Sequence, residues 1–167
     1  MKKTNVLHQL ILAAILMALT TVMTLVIRIP IPNAQGYLNL GDAILMLASI
    51  ILGPVYGFIV GAMGSASADF IGGYGIYVPI TFVVKGLEAL IAGYLFKKWG
   101  RSLPAVVIAA IWMACGYFIA ESFLYGWATA LIALPMNLLQ GGFGAIIALL
   151  VLRALPAKVF SLSGLDH

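Results

Sequence analysis

Charge is scarce in this sequence. Only 8% of its 167 residues are Asp, Glu, Lys or Arg, whereas 63% are hydrophobic. A soluble domain needs many more polar groups to cover its surface, so the composition excludes an ordinary soluble protein. We therefore expect an integral membrane protein, whose apolar surface is covered by the lipid bilayer.

Cysteine and histidine are nearly absent as well. The single cysteine, Cys115, lies in an apolar run, which excludes an intramolecular disulfide and a cysteine-type zinc site. The two histidines, His8 and His167, lie near the chain ends, so no Ser–His arrangement or H-E-x-x-H zinc site is expected within a membrane. The sequence also has no G-x-x-x-x-G-K-[ST] loop for ATP. We expect no metal, no cofactor and no enzyme activity, and any uphill transport needs energy from elsewhere.

Long apolar runs divide the chain into six stretches. About 20 apolar residues cross the hydrocarbon layer as a helix. On that basis we predict an all-α membrane protein, a single domain over 1–167, with six transmembrane helices near 7–28, 40–52, 54–71, 78–96, 103–125 and 130–153. The first stretch is too long for a signal peptide, and no A-x-A cleavage site follows it. After the short second helix, Leu52-Gly53-Pro54 is predicted to form a tight turn.

The basic residues predict the orientation of these helices. They are scattered between apolar runs and do not form the aromatic-rich cluster that a nucleic-acid surface needs. With the N-terminus inside, the predicted cytoplasmic segments hold Lys2, Lys3, Lys97, Lys98, Arg101, Arg153 and Lys158. Only Arg28 is then outside, and Lys85 lies within a helix. The positive-inside rule therefore predicts that both termini are cytoplasmic.

Several polar residues lie within the predicted helices, where ionisable groups are costly and usually functional or paired. At about 1.5 Å per residue, they lie roughly 6–15 Å below the outer ends of the last three helices: Lys85, Glu88, Glu121, Asn137 and Gln140. Asp42 and Asp69 lie near the outer ends of the second and third helices. The inner halves of the predicted helices contain no comparable polar residues. We therefore predict a pocket that opens outward and ends near the midplane, which binds a ligand but does not conduct it.

Each of these residues also has a purely structural interpretation. Lys85 and Glu88 are three residues apart on one helix face, so they could neutralise each other and only pack helices. Glu121 could pair with Lys85 across the bundle, or it could accept hydrogen bonds from a ligand. Asn137 and Gln140 could offer donors and acceptors to a heterocyclic ring, or they could form ordinary hydrogen bonds between helices.

Two outer loops complete the predicted pocket. Residues 29–41, which include Asn39, combine two prolines with two glycines and are predicted to form a lid. The loop at 72–77 combines glycines with Tyr74 and Tyr77. These rings either stack on a flat ligand or belong to an aromatic belt at the membrane interface.

Small residues recur at a spacing that allows helices to approach closely. They occur in the first, third and sixth predicted helices: Ala14 and Ala18, then Gly57, Gly61 and Ser65, then Gly141 and Ala145. For the third and sixth helices the sequence leaves open whether they pack within the molecule or against a partner.

Several motifs resemble those of the substrate-binding S components of energy-coupling factor (ECF) vitamin transporters. The motifs are Leu40-Gly41-Asp42, residues 52–57, Gly61, Ala68-Asp69, Gly72-Gly73-Tyr74, Pro79 and residues 85–93. The resemblance covers about residues 7–153. Within the family, the chain looks most like the subgroup for riboflavin or for hydroxymethylpyrimidine, the thiamine precursor, with pyridoxine close by. We favour hydroxymethylpyrimidine.

The resemblance implies a subunit in the plasma membrane of a prokaryote that binds a vitamin at its outer face. Such a subunit docks on a transmembrane coupling protein driven by two cytoplasmic ATPases. In that family an Ala-x-x-x-Ala pattern in the first helix makes the docking contact, and Ala14 and Ala18 match it. Family ligands are held by the first outer loop and helices four to six, which agrees with the depth of the polar residues.

The family indicates a region and does not assign individual ligand contacts. From the sequence we predict these substrate-binding residues: Asn39, Tyr74, Lys85, Glu88, Glu121, Asn137 and Gln140. Two other classes of protein remain as alternatives. A small intramembrane enzyme acting on lipids or prenyl groups is disfavoured by the missing histidines and the lack of paired acidic motifs for a metal. A structural assembly subunit would have polar residues matched to one another and no cavity.

Overall fold

A computed structural model describes residues 6–30 and 37–155. In these residues it contains six helices: α1 (Val6–Val26), α2 (Gly41–Leu52), α3 (Pro54–Ile71), α4 (Val78–Trp99), α5 (Ser102–Tyr125) and α6 (Trp127–Ala154). The prediction of an all-α protein with six helices is confirmed. The strands β1 (Ile29–Pro30) and β2 (Tyr37–Leu38) form a short antiparallel pair that the sequence did not predict.

Every helix begins and ends within three residues of its predicted position. The two largest differences occur next to glycines. Helix α4 continues to Trp99 and ends where Gly100 adopts a φ of 64° and donates its N–H to the carbonyl of Phe96. Glycine takes this left-handed conformation without strain, so it ends the helix there. Helix α6 begins at Trp127, because Gly126 alone makes the turn from α5 with a φ of 89°.

Helix α2 lies at the centre of the bundle. It packs against α1, α3, α4 and α6. All of its residues except Ile44 are buried. The other helices follow one another around it, with contacts between α1 and α3, α3 and α4, α4 and α5, and α5 and α6. A helix surrounded by protein on all sides has no need of a polar face, which explains its nearly continuous apolar sequence.

Glycines bring α2, α3 and α4 close together. A Cβ atom on Gly61 of α3 would lie 2.6 Å from the backbone oxygen of Lys85, and one on Gly93 of α4 would lie 2.8 Å from that of Ser49. Larger residues at these positions would push the helices apart. The predicted small-residue positions of α3 and α6 are all buried within the molecule: Gly57, Gly61, Ser65, Gly141 and Ala145.

The two ends of the bundle differ in chemistry. Consecutive helices from α4 to α6 pack side by side with short connections, so they alternate in direction. One end, which we call the basic end, carries Lys97, Lys98, Arg101 and Arg153. The core in this half is almost entirely apolar and includes Leu52, Val60, Ala92, Val106 and Ala148, with Ser49 as a buried polar residue. The other end, which we call the pocket end, gathers the buried polar residues.

Four helices in the described residues are long and apolar enough to cross a membrane: α1, α4, α5 and α6. Helix α2, with 12 residues, is only about 18 Å long and does not reach across hydrocarbon by itself. Several residues used in the sequence predictions lie outside the described ranges: Lys2, Lys3, Lys158, His167 and residues 31–36 of the predicted lid.

Candidate ligand-binding site

A pair of short strands lies at the pocket end. Tyr37 of β2 donates a hydrogen bond of 2.6 Å from its hydroxyl to Asp69 of α3. The guanidinium of Arg28 lies 4.9 Å from the ring centroid of Tyr37 and 5.5 Å from that of Tyr74. Burial, and then the hydrogen bond to Asp69, raise the pKa of the Tyr37 hydroxyl, so it remains a proton donor. These contacts join the segment that follows α1, β2, α3 and the α3–α4 loop around one opening.

The opening leads into a narrow pocket between β2 and the helices other than α2. Its cavity volume is about 40 Å³. Four tyrosine rings and several polar groups line it: Thr24, Tyr37, Asn39, Ser65, Asp69, Tyr74, Tyr77, Thr81, Lys85, Tyr117, Glu121, Asn137 and Gln140.

Most of the predicted substrate-binding residues line this pocket. They are Asn39, Tyr74, Lys85, Glu121, Asn137 and Gln140. Glu88 is the exception, because it lies fully buried beneath Lys85. Their contact with a substrate stays a prediction.

A buried ion cluster forms the floor of the pocket. The ammonium of Lys85 donates to a carboxylate oxygen of Asp42 and, at 3.1 Å, to Glu88. These side chains are at most 2% exposed. Buried charges need partners to offset their lost hydration. The Lys85–Glu88 pair that the spacing predicted does form. Asp42 of α2, which was not among the predicted substrate-binding residues, is the third member of the cluster.

Gln140 connects this cluster to the segment before α2. Its Nε2 donates to the second oxygen of Asp42 at 3.0 Å. Its Oε1 accepts from the backbone N–H of Asn39 at 3.0 Å and from the Asn39 side-chain amide at 3.3 Å. The Oδ1 of Asn39 in turn accepts from the N–H of Gly41 at 2.9 Å. Gln140 therefore forms hydrogen bonds between elements, and its contact with a ligand stays a prediction.

Glu121 and Asn137 differ from Gln140, because each keeps an unused polar atom. Glu121 does not pair with Lys85; its Oε1 accepts from the hydroxyl of Tyr77 at 3.2 Å. Among the described residues, the Oε2 of Glu121 and the Nδ2 of Asn137 are buried and have no hydrogen-bond partner. Unpaired buried polar atoms are rare, since each costs roughly 1–3 kcal/mol. A ligand that donates to Glu121 and accepts from Asn137 would satisfy both.

Sequence reasoning missed several lining residues, and some of them carried a signal. Thr81 precedes Lys85 by four residues, and Tyr117 precedes Glu121 by four, so each lies on the same helix face as a residue already predicted. Their hydroxyls lie 2.9 Å apart, within hydrogen-bond distance. The Tyr37–Asp69 bond, in contrast, joins residues 32 positions apart. No local sequence pattern predicts such a pairing.

The predicted docking residues lie away from the pocket. Ala14 and Ala18 are exposed on α1, whereas Ala13 is buried against the core. The large apolar residues Ile11 and Ile15 are exposed beside them. This face is apolar and free of other parts of the described chain, and its role in docking stays a prediction.

Comparison with known proteins agrees with the resemblance seen in the motifs. A family model described as "ECF-type riboflavin transporter, S component" matches residues 4–157. An uncharacterized protein of Pyrococcus woesei is 41% identical over 130 residues, which are 76% of this chain and 87% of that protein. The "Thiamine precursor transporter HmpT" of Lactococcus lactis is 30% identical over 141 residues, 84% of this chain and 82% of the relative.

A more distant likeness covers only part of the chain. A UPF0397 protein of Streptococcus pneumoniae is 38% identical over 80 residues, 48% of this chain and 43% of that protein. The named family and the named relative HmpT are transporters, so the prediction that the chain is not an enzyme is confirmed. Because the family model spans nearly the whole described structure, this chain belongs to the S components of ECF-type transporters.

Proposed function

We propose that this S component captures a thiamine precursor, hydroxymethylpyrimidine, in the pocket for uptake driven by partner subunits. The observation that carries the proposal is the division of the bundle into two halves. Polar groups line a pocket at one end, the Lys85 cluster closes its floor, and the core beyond consists of apolar residues such as Ile50 and Val106. In the described residues no polar path continues to the basic end. Such a site binds a solute, and partners are needed to move it.

The lining suits a flat, polar ring. The rings of Tyr37 and Tyr74 lie 4.8 Å apart, and Tyr77 and Tyr117 lie 6.5 Å apart. Aromatic rings at such positions offer stacking surfaces. The unused acceptor of Glu121 and the unused donor of Asn137 add polar recognition. A hydroxymethylpyrimidine offers an amino donor and ring-nitrogen acceptors to these two groups.

The size of the pocket supports a single-ring ligand. Small-molecule sites usually measure about 300–1,000 Å³, whereas this pocket has a cavity volume of only about 40 Å³, so its lining has to move to admit a ligand. The three fused rings and side chain of riboflavin would need more displacement of the lining than one pyrimidine ring. The relative HmpT is named as a thiamine precursor transporter. Pyridoxine, also a single ring, is the second candidate.

Binding titrations would test this proposal. The detergent-solubilised protein is titrated with hydroxymethylpyrimidine, pyridoxine and riboflavin, and small molecules that co-purify with it are identified by mass spectrometry. We expect hydroxymethylpyrimidine to bind most tightly. Tighter binding of riboflavin, or riboflavin as the co-purified molecule, would overturn the choice of substrate.

We further propose that all six helices cross the plasma membrane of a prokaryote, with both termini in the cytoplasm. Helices α2 and α3 would do so as a hairpin in which neighbouring helices surround α2, since a short helix is tolerated where neighbours cover its ends. The basic residues Lys97, Lys98, Arg101 and Arg153 then lie inside, and the pocket opens outside. In a Cys115→Ala background, an impermeant maleimide should label Gly75→Cys but not Arg101→Cys on intact cells. The reverse pattern would invert the orientation.

The partners in this proposal are a transmembrane coupling protein and two cytoplasmic ATPases. Membership of the S-component family supports such partners, and the exposed Ala14 and Ala18 supply a flat face for close helix contact. A structural assembly subunit is less well supported, because it would have no pocket and no unpaired buried polar atoms on the residues that line it.

A further inference from the structure

We propose that Gln140 is a positioning residue that holds the pocket wall formed by residues 37–41, and that it does not bind the ligand through its own amide. This departs from the sequence prediction, which placed both Gln140 and Asn39 among the ligand contacts. The inference deepens the proposed function for the same pocket. Its first experiment, however, needs no ligand.

Both polar side-chain atoms of Gln140 already have hydrogen-bond partners within the protein. Its Oε1 has two lone pairs and accepts twice, from the backbone N–H and from the side-chain amide of Asn39. Its Nε2 is held by Asp42. The side chain is only 4% exposed. A ligand would have to displace one of these bonds to reach the oxygen, whereas the unused atoms of Glu121 and Asn137 need no such exchange.

The group that Gln140 holds is part of the pocket wall. Asn39 lies two residues after Tyr37, whose ring lines the pocket and whose hydroxyl bonds to Asp69. The Oδ1 of Asn39 accepts from the N–H of Gly41 and so fixes the start of α2. Movement of Asn39 would therefore displace the Tyr37 ring and the first turn of α2 together.

The group that anchors Gln140 is rigid. Asp42 is bound to Lys85, and Lys85 is bound to Glu88, all within the buried core of α2 and α4. Gln140 on α6 thus links this anchor to the wall segment. A neutral amide suits the position, because it donates to an anion on one side and accepts from N–H groups on the other. A glutamate would place a second carboxylate beside Asp42, and an apolar residue would leave three polar groups unpaired.

Hydrogen exchange of the ligand-free protein tests the positioning directly. In Gln140→Met, the backbone N–H of Asn39 loses its acceptor. We therefore expect hydrogen exchange at this N–H to accelerate about 10- to 100-fold, the factor that corresponds to one lost buried hydrogen bond. Exchange in the middle of α5 should not change. Leu139→Met is the matched control, since the neighbouring Leu139 is exposed on the bundle surface. Unchanged exchange at Asn39 in Gln140→Met would overturn the proposal.

A charge exchange separates this role from simple loss of packing. Gln140→Glu alone should also accelerate exchange at Asn39, because its carboxylate repels Asp42 and breaks the link. Adding Asp42→Asn restores a donor facing the new carboxylate and keeps the number of charges around Lys85. We expect the double variant to return within about threefold of the original exchange rate. Failure of this rescue, in a double variant that elutes as a single species, would show that the link to position 42 does not position the wall.

Ligand binding gives the second arm, with hydroxymethylpyrimidine as the probe. If Gln140 acts through Asn39, then Gln140→Met and Asn39→Ala should each weaken binding, by about 5- to 30-fold, and the double variant should be no weaker than the worse single variant. Losses that multiply would mean that Gln140 touches the ligand independently, which would overturn the proposal. If the unaltered protein does not bind this probe, the proposed substrate is wrong, while the exchange experiment still decides the role of Gln140.

Discussion

Among the polar residues that line the pocket, some have a hydrogen-bond partner for each polar side-chain atom and others keep an atom without one. Lys85 and Gln140 belong to the first group, because each makes bonds to two neighbours. Asn137 and Glu121 belong to the second. Sequence depth placed all four in the same region without distinguishing these roles. Substituting a residue of the first group should lower the stability of the protein. Substituting one of the second group should weaken ligand binding without lowering stability.

Asn137→Leu should weaken binding of hydroxymethylpyrimidine by about 1–3 kcal/mol, because the amide that would meet the ligand is lost. The ligand-free protein should melt no lower than the original, since the Nδ2 has no partner to lose. Calorimetric titration and a thermal scan measure the two effects. Leu138→Ala, at the adjacent exposed position, is the control and should leave affinity unchanged. Equal affinity in Asn137→Leu and the original protein would count against this contact.

Lys85→Met should destabilise the protein strongly whether or not ligand is present. The ammonium is shared by Asp42 and Glu88, so its removal leaves two buried carboxylates unpaired, at a cost of about 3–5 kcal/mol. Lys97→Met, on the same helix but exposed, is the matched control and should melt normally. Thermal unfolding in detergent compares the two. A melting temperature of Lys85→Met equal to that of the control would contradict the ion cluster.

At the scale of the elements, close packing of helices depends on small residues at contacts rather than on small residues in general. Gly61 and Gly142 are both helical glycines. A Cβ on Gly61 would collide with the backbone of α4, whereas one on Gly142 would meet nothing within 4 Å. Ala14 and Ala18 of α1 belong to neither case, because they are small residues exposed on the surface of the described structure. That asymmetry suggests a surface that a partner helix approaches closely.

Gly61→Ala should therefore lower stability by about 1–3 kcal/mol, the usual cost of forcing extra volume into a packed contact. Gly142→Ala should leave stability unchanged or raise it by up to about 1 kcal/mol, because alanine favours the helix. Thermal scans on the two single variants measure the difference. A smaller loss in Gly61→Ala than in Gly142→Ala would show that α3 and α4 do not pack this closely.

Ala14→Trp and Ala18→Trp should abolish assembly with the coupling protein while ligand binding remains nearly intact. A bulky ring prevents the close backbone approach that small residues permit, and both positions lie on the exposed surface of α1. Co-purification of the two proteins and a binding titration give the two readouts. Ile111→Trp, exposed on the surface of α5, is the control. Normal co-purification of both alanine variants would rule out docking through this face.

At the scale of the whole molecule, the buried ionisable groups of the described residues end at the floor of the pocket, and the core beyond it is almost entirely apolar. This arrangement suits binding of a substrate better than pumping it. The sequence also lacks a phosphate-cradling loop. Membership of the S-component family agrees with this division of labour. Energy and the movement of the substrate across the bilayer would then come from partner subunits.

The purified protein should accordingly bind hydroxymethylpyrimidine without ATP and fail to accumulate it in liposomes. Uptake should appear when the coupling protein and the ATPases are reconstituted with it and ATP is supplied. Radiolabelled substrate inside the vesicles is the measurement, and liposomes without protein are the control. Robust accumulation by this chain alone would show that the apolar half of the bundle opens a path.

The amino-acid sequence by itself determined the six helices, because apolar length and glycine or proline punctuation act locally along the chain. It also determined which residues lie at the pocket end, since a residue's depth depends only on its distance from the end of its helix. Helix α4 ends three residues later than predicted, at Trp99 before Gly100, and this difference does not change which residues lie at the pocket end.

Only the tertiary structure decided which polar groups meet. Lys85 and Asp42 are 43 positions apart, Asp42 and Gln140 are 98 apart, and Asn39 and Gln140 are 101 apart. Which of several buried donors and acceptors pair depends on how the helices rotate and pack around α2. That packing leaves the Oε2 of Glu121 and the Nδ2 of Asn137 unused, because no described neighbour forms a hydrogen bond with either atom.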